Sequence, residues 1–257
     1  MGADRGAGMT RRQVVRLWVP QQHGAWAMLV VPFLGGMILG GASWWQLPLL
    51  PAWLLSFAAA HHGQQFLRLR RASRRPGAAN RHLAPLGWLG GIAAVLAGVL
   101  AAAHPWLLLA AAAMAPFVAI NTIYAARNRE RALLNDFVAL IPACGMLPIV
   151  ARLATGRLEA VAWAGFAACL LYFAGTVLVV KTMIRERGSR GYRIASGAYH
   201  AGALVAAGAL SWWLAAPFAL YLARALILPT RRMRPAAIGA VEIVNSAILL
   251  AAMVLMR

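Results

Sequence analysis

Residues 160–193 read AVAWAGFAACLLYFAGTVLVV followed by KTMIRERGSRGYR. The stretch 160–180 carries no charge, and a segment of roughly 20 apolar residues crosses a hydrocarbon core ~30 Å thick. The stretch 181–193 brings five cations at once: Lys181, Arg185, Arg187, Arg190 and Arg193. Working outward, the same alternation recurs along the chain. Apolar runs occupy about 24–43, 47–67, 83–103, 105–126, 136–151, 160–180, 194–210, 212–228 and 235–256. Every second connection is basic. Arg5, Arg11, Arg12 and Arg16 precede the first run, and Arg68, Arg70, Arg71, Arg74, Arg75 and Arg81 follow the second. Arg127, Arg129 and Arg131 follow the fourth, and Arg224, Arg231, Arg232 and Arg234 follow the eighth. Of 25 Lys and Arg, 22 fall on this one side, leaving Arg152, Arg157 and Arg257. Cationic loops stay in the cytoplasm, so this bias predicts helix number and orientation together.

The expected fold is all-α, a polytopic transmembrane bundle of about nine helices, with the N-terminus in the cytoplasm and the C-terminus outside. Residues 1–19 form a basic cytoplasmic arm and 20–257 a single transmembrane domain. At 62% hydrophobic and 12% charged residues, the chain has too little polar surface for a soluble globule. The run from Gly24 to Ser43 is long for a signal peptide and is entered through Pro20-Gln21-Gln22-His23, so it reads as a retained first span. A net charge of +19 would suggest nucleic acid in a soluble protein. Here the cations line a membrane, and anionic lipid headgroups are the expected partners rather than nucleic acid. Cys144 and Cys169 lack metal-type spacing and read as small core residues.

The outer connections hold Trp44, Trp45, Trp106, Trp212 and Trp213, as expected where indole rings meet headgroups. Gly36 with Gly40, and Gly87 with Gly91, have the spacing that lets helices approach closely. Pro116 and Pro142 are expected to kink the fourth and fifth helices.

Polar residues of the spans gather toward the basic side. His61 and His62 end the second run with Gln64 and Gln65; Asn121 and Tyr124 end the fourth; Asn135 and Asp136 open the fifth. Lys181, Arg185 and Glu186 close the sixth, and Tyr199 and His200 lie early in the seventh. Glu242 and Asn245 share a face about two turns into the ninth. A carboxylate that deep costs a few kcal/mol unless paired or hydrated. Lys181, Arg185, Arg129 or a neutral His are its expected partners. Together these groups predict a polar, basic pocket open to the cytoplasm. The bland alternative is snorkelling to the interface, which suits Gln21, Gln64, Gln65, Arg187 and Arg190 better than His23, Asn121, Glu242 or Asn245.

Lys181 is the one lysine beside 24 arginines, and a compact ammonium is a point-charge partner for phosphate or carboxylate. His23, at the mouth of the first helix, suits either a cap or an anion contact. A metal or haem role for His23, His61, His62 and His200 is disfavoured, because His61 and His62 point about 100° apart on a helix. No cofactor is expected.

Val19-Pro-Gln-Gln-His-Gly-Ala-Trp-Ala-Met-Leu, with Asn135-Asp136 and Pro142-Ala-Cys-Gly-Met-Leu-Pro148, resembles the YwiC-like family of bacterial membrane proteins. More distantly, the plan is similar to the UbiA-type prenyltransferase superfamily. That resemblance implies nine helices, a cytoplasm-facing site, and a role for Tyr124, Arg127, Arg129, Arg131 and Asn135 in holding an isoprenoid diphosphate. It breaks at the metal. The superfamily's two Asp-rich magnesium motifs would fall at His61–Arg68 and near Glu186, and six acids in the whole chain cannot build them. The expected ligand is then an isoprenoid or other anionic lipid, with Arg127, Arg129, Lys181 and Arg185 supplying the charge. If there is catalysis, these cations would stabilise a departing diphosphate and histidines would move protons. A non-enzymatic transporter or accessory protein is the alternative.

Overall fold

The computed structural model describes residues 17–20 and 23–257; of His23 it describes the backbone. Gln21, Gln22, the arm up to residue 16 and the His23 side chain lie outside the described residues. All nine apolar runs are helices: α1 (His23–Gly40), α2 (Gln46–Ala72), α3 (Leu83–Ala103), α4 (Trp106–Ala126), α5 (Leu133–Thr155), α6 (Ala160–Ile184), α7 (Arg190–Leu210), α8 (Ala215–Ile227) and α9 (Pro235–Met256). No strand occurs among the described residues. Short 3-10 turns precede α3 (Asn80–His82) and α8 (Trp212–Leu214). The fifth run is longer than expected, because its helix continues through Pro142 and Pro148 to Thr155 and stops at Gly156, which adopts the left-handed conformation.

Among the described residues six helical segments are long and apolar enough to cross a membrane, which makes this a multi-pass membrane protein. They comprise α3, α4, α5, α6, α8 and α9, the segments of α3 and α8 including their 3-10 turns. The apolar part of α1, Gly24–Gly40, is shorter than any of these. The ends of α2 and the first half of α7 carry polar and basic side chains, which lowers their hydropathy.

Lipid is as apolar as Leu, so helices here associate through close packing rather than water exclusion. One close approach is α1 on α5. A Cβ added at Gly36 would lie 2.5 Å from the Leu147 carbonyl oxygen, and one at Gly40 2.5 Å from the Ala151 Cα. Gly87 and Gly91 do not serve this purpose, since a Cβ at either meets open space. They lie on α3, whose spanning face, like that of α4, is turned almost wholly outward. The core is centred on α6, where Tyr172 and Phe173 pack with Phe218 and Tyr221 of α8 and with Leu249 and Met253 of α9. Cys144 and Cys169 are free and fully buried in that core. At the end opposite the basic loops, Trp212 and Trp213 stack 3.5 Å apart and Arg152 lies over the Trp106 ring.

Candidate functional site

The polar residues of the spans divide into two layers instead of forming one pocket. The outer layer ties the basic end together. Lys181 reaches from α6 to Asp136 at the start of α5, Nζ to Oδ2 2.8 Å, and donates to the Arg131 carbonyl at 2.9 Å. Asn121 donates to Asn135 Oδ1 at 3.0 Å, and Asn135 donates onward to the Glu130 carbonyl at 2.8 Å. Arg68 of α2 closes the set on Glu130 at 2.8 Å. These bonds fasten the 127–132 connection, which turns through Asn128 at φ 56°, onto three helices. Lys181 is buried, and its ammonium answers a carboxylate of the same chain. Arg127, Arg129 and Arg185 stand exposed around this layer, while Tyr124 and Glu186 are half-buried.

The inner layer holds Glu242, His200 and Asn245, and its key residue is Arg224. The charge pattern groups Arg224 with the loop cations and offers Glu242 a choice of Lys181, Arg185, Arg129 or a neutral His. In the structure Arg224 lies inside α8, is 4% exposed, and binds Glu242, Nη1 to Oε2 2.5 Å. Lys181 cannot serve Glu242, being held by Asp136. Arg224 was legible by phase: Pro217, Phe218, Tyr221, Arg224 and Ala225 form the buried stripe of α8 at helical spacing.

Around the pair, Thr176 donates to Glu242 Oε2 at 2.9 Å, and the Tyr172 hydroxyl lies 3.2 Å from the same oxygen. Arg224 Nη2 lies 3.3 Å from His200 Nε2. His200 Nδ1 lies 2.7 Å from the Ser196 carbonyl oxygen, which can only accept. Nδ1 therefore carries the proton, and Nε2 accepts from the guanidinium. The guanidinium also sits over the rings of Tyr172 and Tyr221, 5.8 and 5.5 Å from their centroids. Tyr221 donates to the Asn245 carbonyl at 2.9 Å. Tyr172 is the middle residue of α6, so the cluster lies deep within the spans. Gly175 makes room for it: a Cβ there would be 2.7 Å from His200 Nε2.

A third arrangement joins α2 to the turn before α3. His62 and His82 face each other, Nδ1 to Nδ1 2.9 Å, with His62 Nε2 3.1 Å from the Trp18 carbonyl oxygen. One consistent proton order runs from His82 to His62 to Trp18. His61 is half-buried, with its ring edge-on to His62. Among the described residues, no group of three or more His, Cys, Asp or Glu could hold a metal ion.

The model of the YwiC-like protein family matches residues 19–151, the region from the entry to α1 through most of α5. "Uncharacterized protein YwiC" of Bacillus subtilis is 32% identical over 242 residues, covering 92% of this chain and 97% of that protein. An "Uncharacterized protein" of Haemophilus influenzae is 30% identical over 246 residues, covering 91% and 96%. No solved structure matches the chain. With the opening motif inside the matched region and relatives aligned nearly end to end, this multi-pass membrane protein belongs to the YwiC-like family.

Proposed function

We propose that the chain resides in the cytoplasmic membrane, N-terminus inside and C-terminus outside, and binds an anionic, lipid-like molecule at its basic face. The plan is UbiA-like without acidic magnesium clusters, so the protein's own cations supply the countercharge. The observation that supports this reading is a groove of about 480 Å³ at the end of α2. Phe66 and Leu69 give it an apolar wall; Arg70, Arg74 and Arg75 give it a charged rim, with Ser73 and Asn80 as hydrogen-bonding groups. A phosphate or diphosphate on an isoprenoid or acyl chain matches both surfaces, because guanidinium forks bind phosphate oxygens while the chain follows the apolar side. Arg127, Arg129 and Arg185 are exposed and free to extend the same field over the headgroup plane.

Native mass spectrometry of the full chain with farnesyl diphosphate, and with phosphatidylglycerol against phosphatidylcholine, tests this. Retention of the anionic probes without magnesium, lost on replacing Arg70, Arg74 and Arg75 by Ala, is the expected result. Retention only with magnesium, or equal retention of phosphatidylcholine, would overturn it. A transporter or accessory protein is the second reading, favoured by the ion pair buried between α8 and α9. Intramembrane charges commonly line solute or proton paths.

A further inference from the structure

The cluster around Arg224 and Glu242 is not finished by its own residues. Four of its buried polar atoms have no hydrogen-bond partner among the described residues: Arg224 Nε, Glu242 Oε1, Ser196 Oγ and Asn245 Nδ2. Arg224, Ser196 and Asn245 are each more than nine-tenths buried. Three helices contribute these atoms: α7, α8 and α9. The distribution is lopsided. Arg224, Thr176 and Tyr172 all crowd onto one carboxylate oxygen, Oε2, and leave Oε1 bare. Leaving such groups unmatched inside a membrane protein is costly, so these four atoms mark where a guest molecule would gain the most.

The charges and hydrogen-bonding roles limit what that is. Arg224 and Glu242 cancel, and His200 takes part as an acceptor toward Arg224. An anion entering here would face the bare oxygen of Glu242, and a cation would face the guanidinium. Arg224 Nε and Asn245 Nδ2 are donors and require an acceptor; Glu242 Oε1 requires a donor; Ser196 Oγ can be either. We infer that the centre is a binding site for a small uncharged group presenting both a hydrogen-bond acceptor and a donor, of carboxamide or hydroxyl type. This site is separate from the basic groove of α2 and takes a different chemical class. Its position deep in the spans suits a membrane protein that holds a small polar solute between helices.

Saturation-transfer NMR on the full chain in micelles tests the inference with three matched probes: acetamide, acetate and methylammonium. Acetamide should give a signal at least threefold stronger than either ion. The signal should fall at least threefold in Ser196→Ala/Asn245→Leu and stay unchanged in Arg157→Ala. Equal signals from all three probes, no signal from acetamide, or an acetamide signal indifferent to the double replacement would each overturn it. The probe comparison uses the unaltered protein, so it stands even if the double variant does not fold.

Discussion

Among the described residues two ion pairs join neighbouring helices of this bundle, and they differ in how completely they are satisfied. Lys181–Asp136 lies at the basic end; its lysine is buried, its aspartate is 28% exposed at the side chain, and a backbone carbonyl takes another ammonium proton. Arg224–Glu242 lies deeper, with 3% and 13% side-chain exposure, and leaves an atom of each partner unmatched. The outer pair makes sense as a fastening, since it ends a chain of bonds that all close within the protein. The inner pair has bonding capacity left over. Depth alone does not describe how the two pairs differ; unspent hydrogen-bonding capacity does.

Breaking the comparison begins at the inner pair. Replacing one partner, Arg224→Met or Glu242→Leu, strands the other charge between helices, and should cost about 3–5 kcal/mol, read as thermal unfolding in detergent. Next comes the room that Gly175 gives His200. Gly175→Ala forces the ring away from Arg224 and should cost about 1–3 kcal/mol, read as thermal unfolding in detergent. Lys181→Met should cost less, about 1–2 kcal/mol, because Asp136 retains solvent. A loss at Lys181 as large as that at Arg224 would erase the distinction between the layers. Arg157→Ala, in an exposed pair with Glu159, should change stability by less than about 0.5 kcal/mol.

The helices were legible because apolar runs and arginine-rich connections carry the membrane's own dimensions and charge preference. Gly36 and Gly40 were legible as a contact, but Gly87 and Gly91 have the same spacing and meet nothing. Spacing tells which residues share a face and does not tell which face finds a neighbour. Lys181 stood out as the one lysine, and its burial justifies the attention. Its partner, 45 positions earlier, depends on how α5 and α6 dock, which no local pattern encodes. Arg224 was hidden by position: near Arg231, Arg232 and Arg234 it counted with the loop cations. Its phase with Phe218 and Tyr221 was the signal that would have placed it in the core.

The most direct test of the account is a double-mutant cycle on Arg224→Met and Glu242→Leu, measured by unfolding of the full chain. If the pair forms one buried unit, the double variant regains most of what each single variant loses, with a coupling of about 2 kcal/mol or more. Losses that simply add, within about 0.5 kcal/mol, would mean that Arg224 and Glu242 act independently, and the inner centre would dissolve as a site.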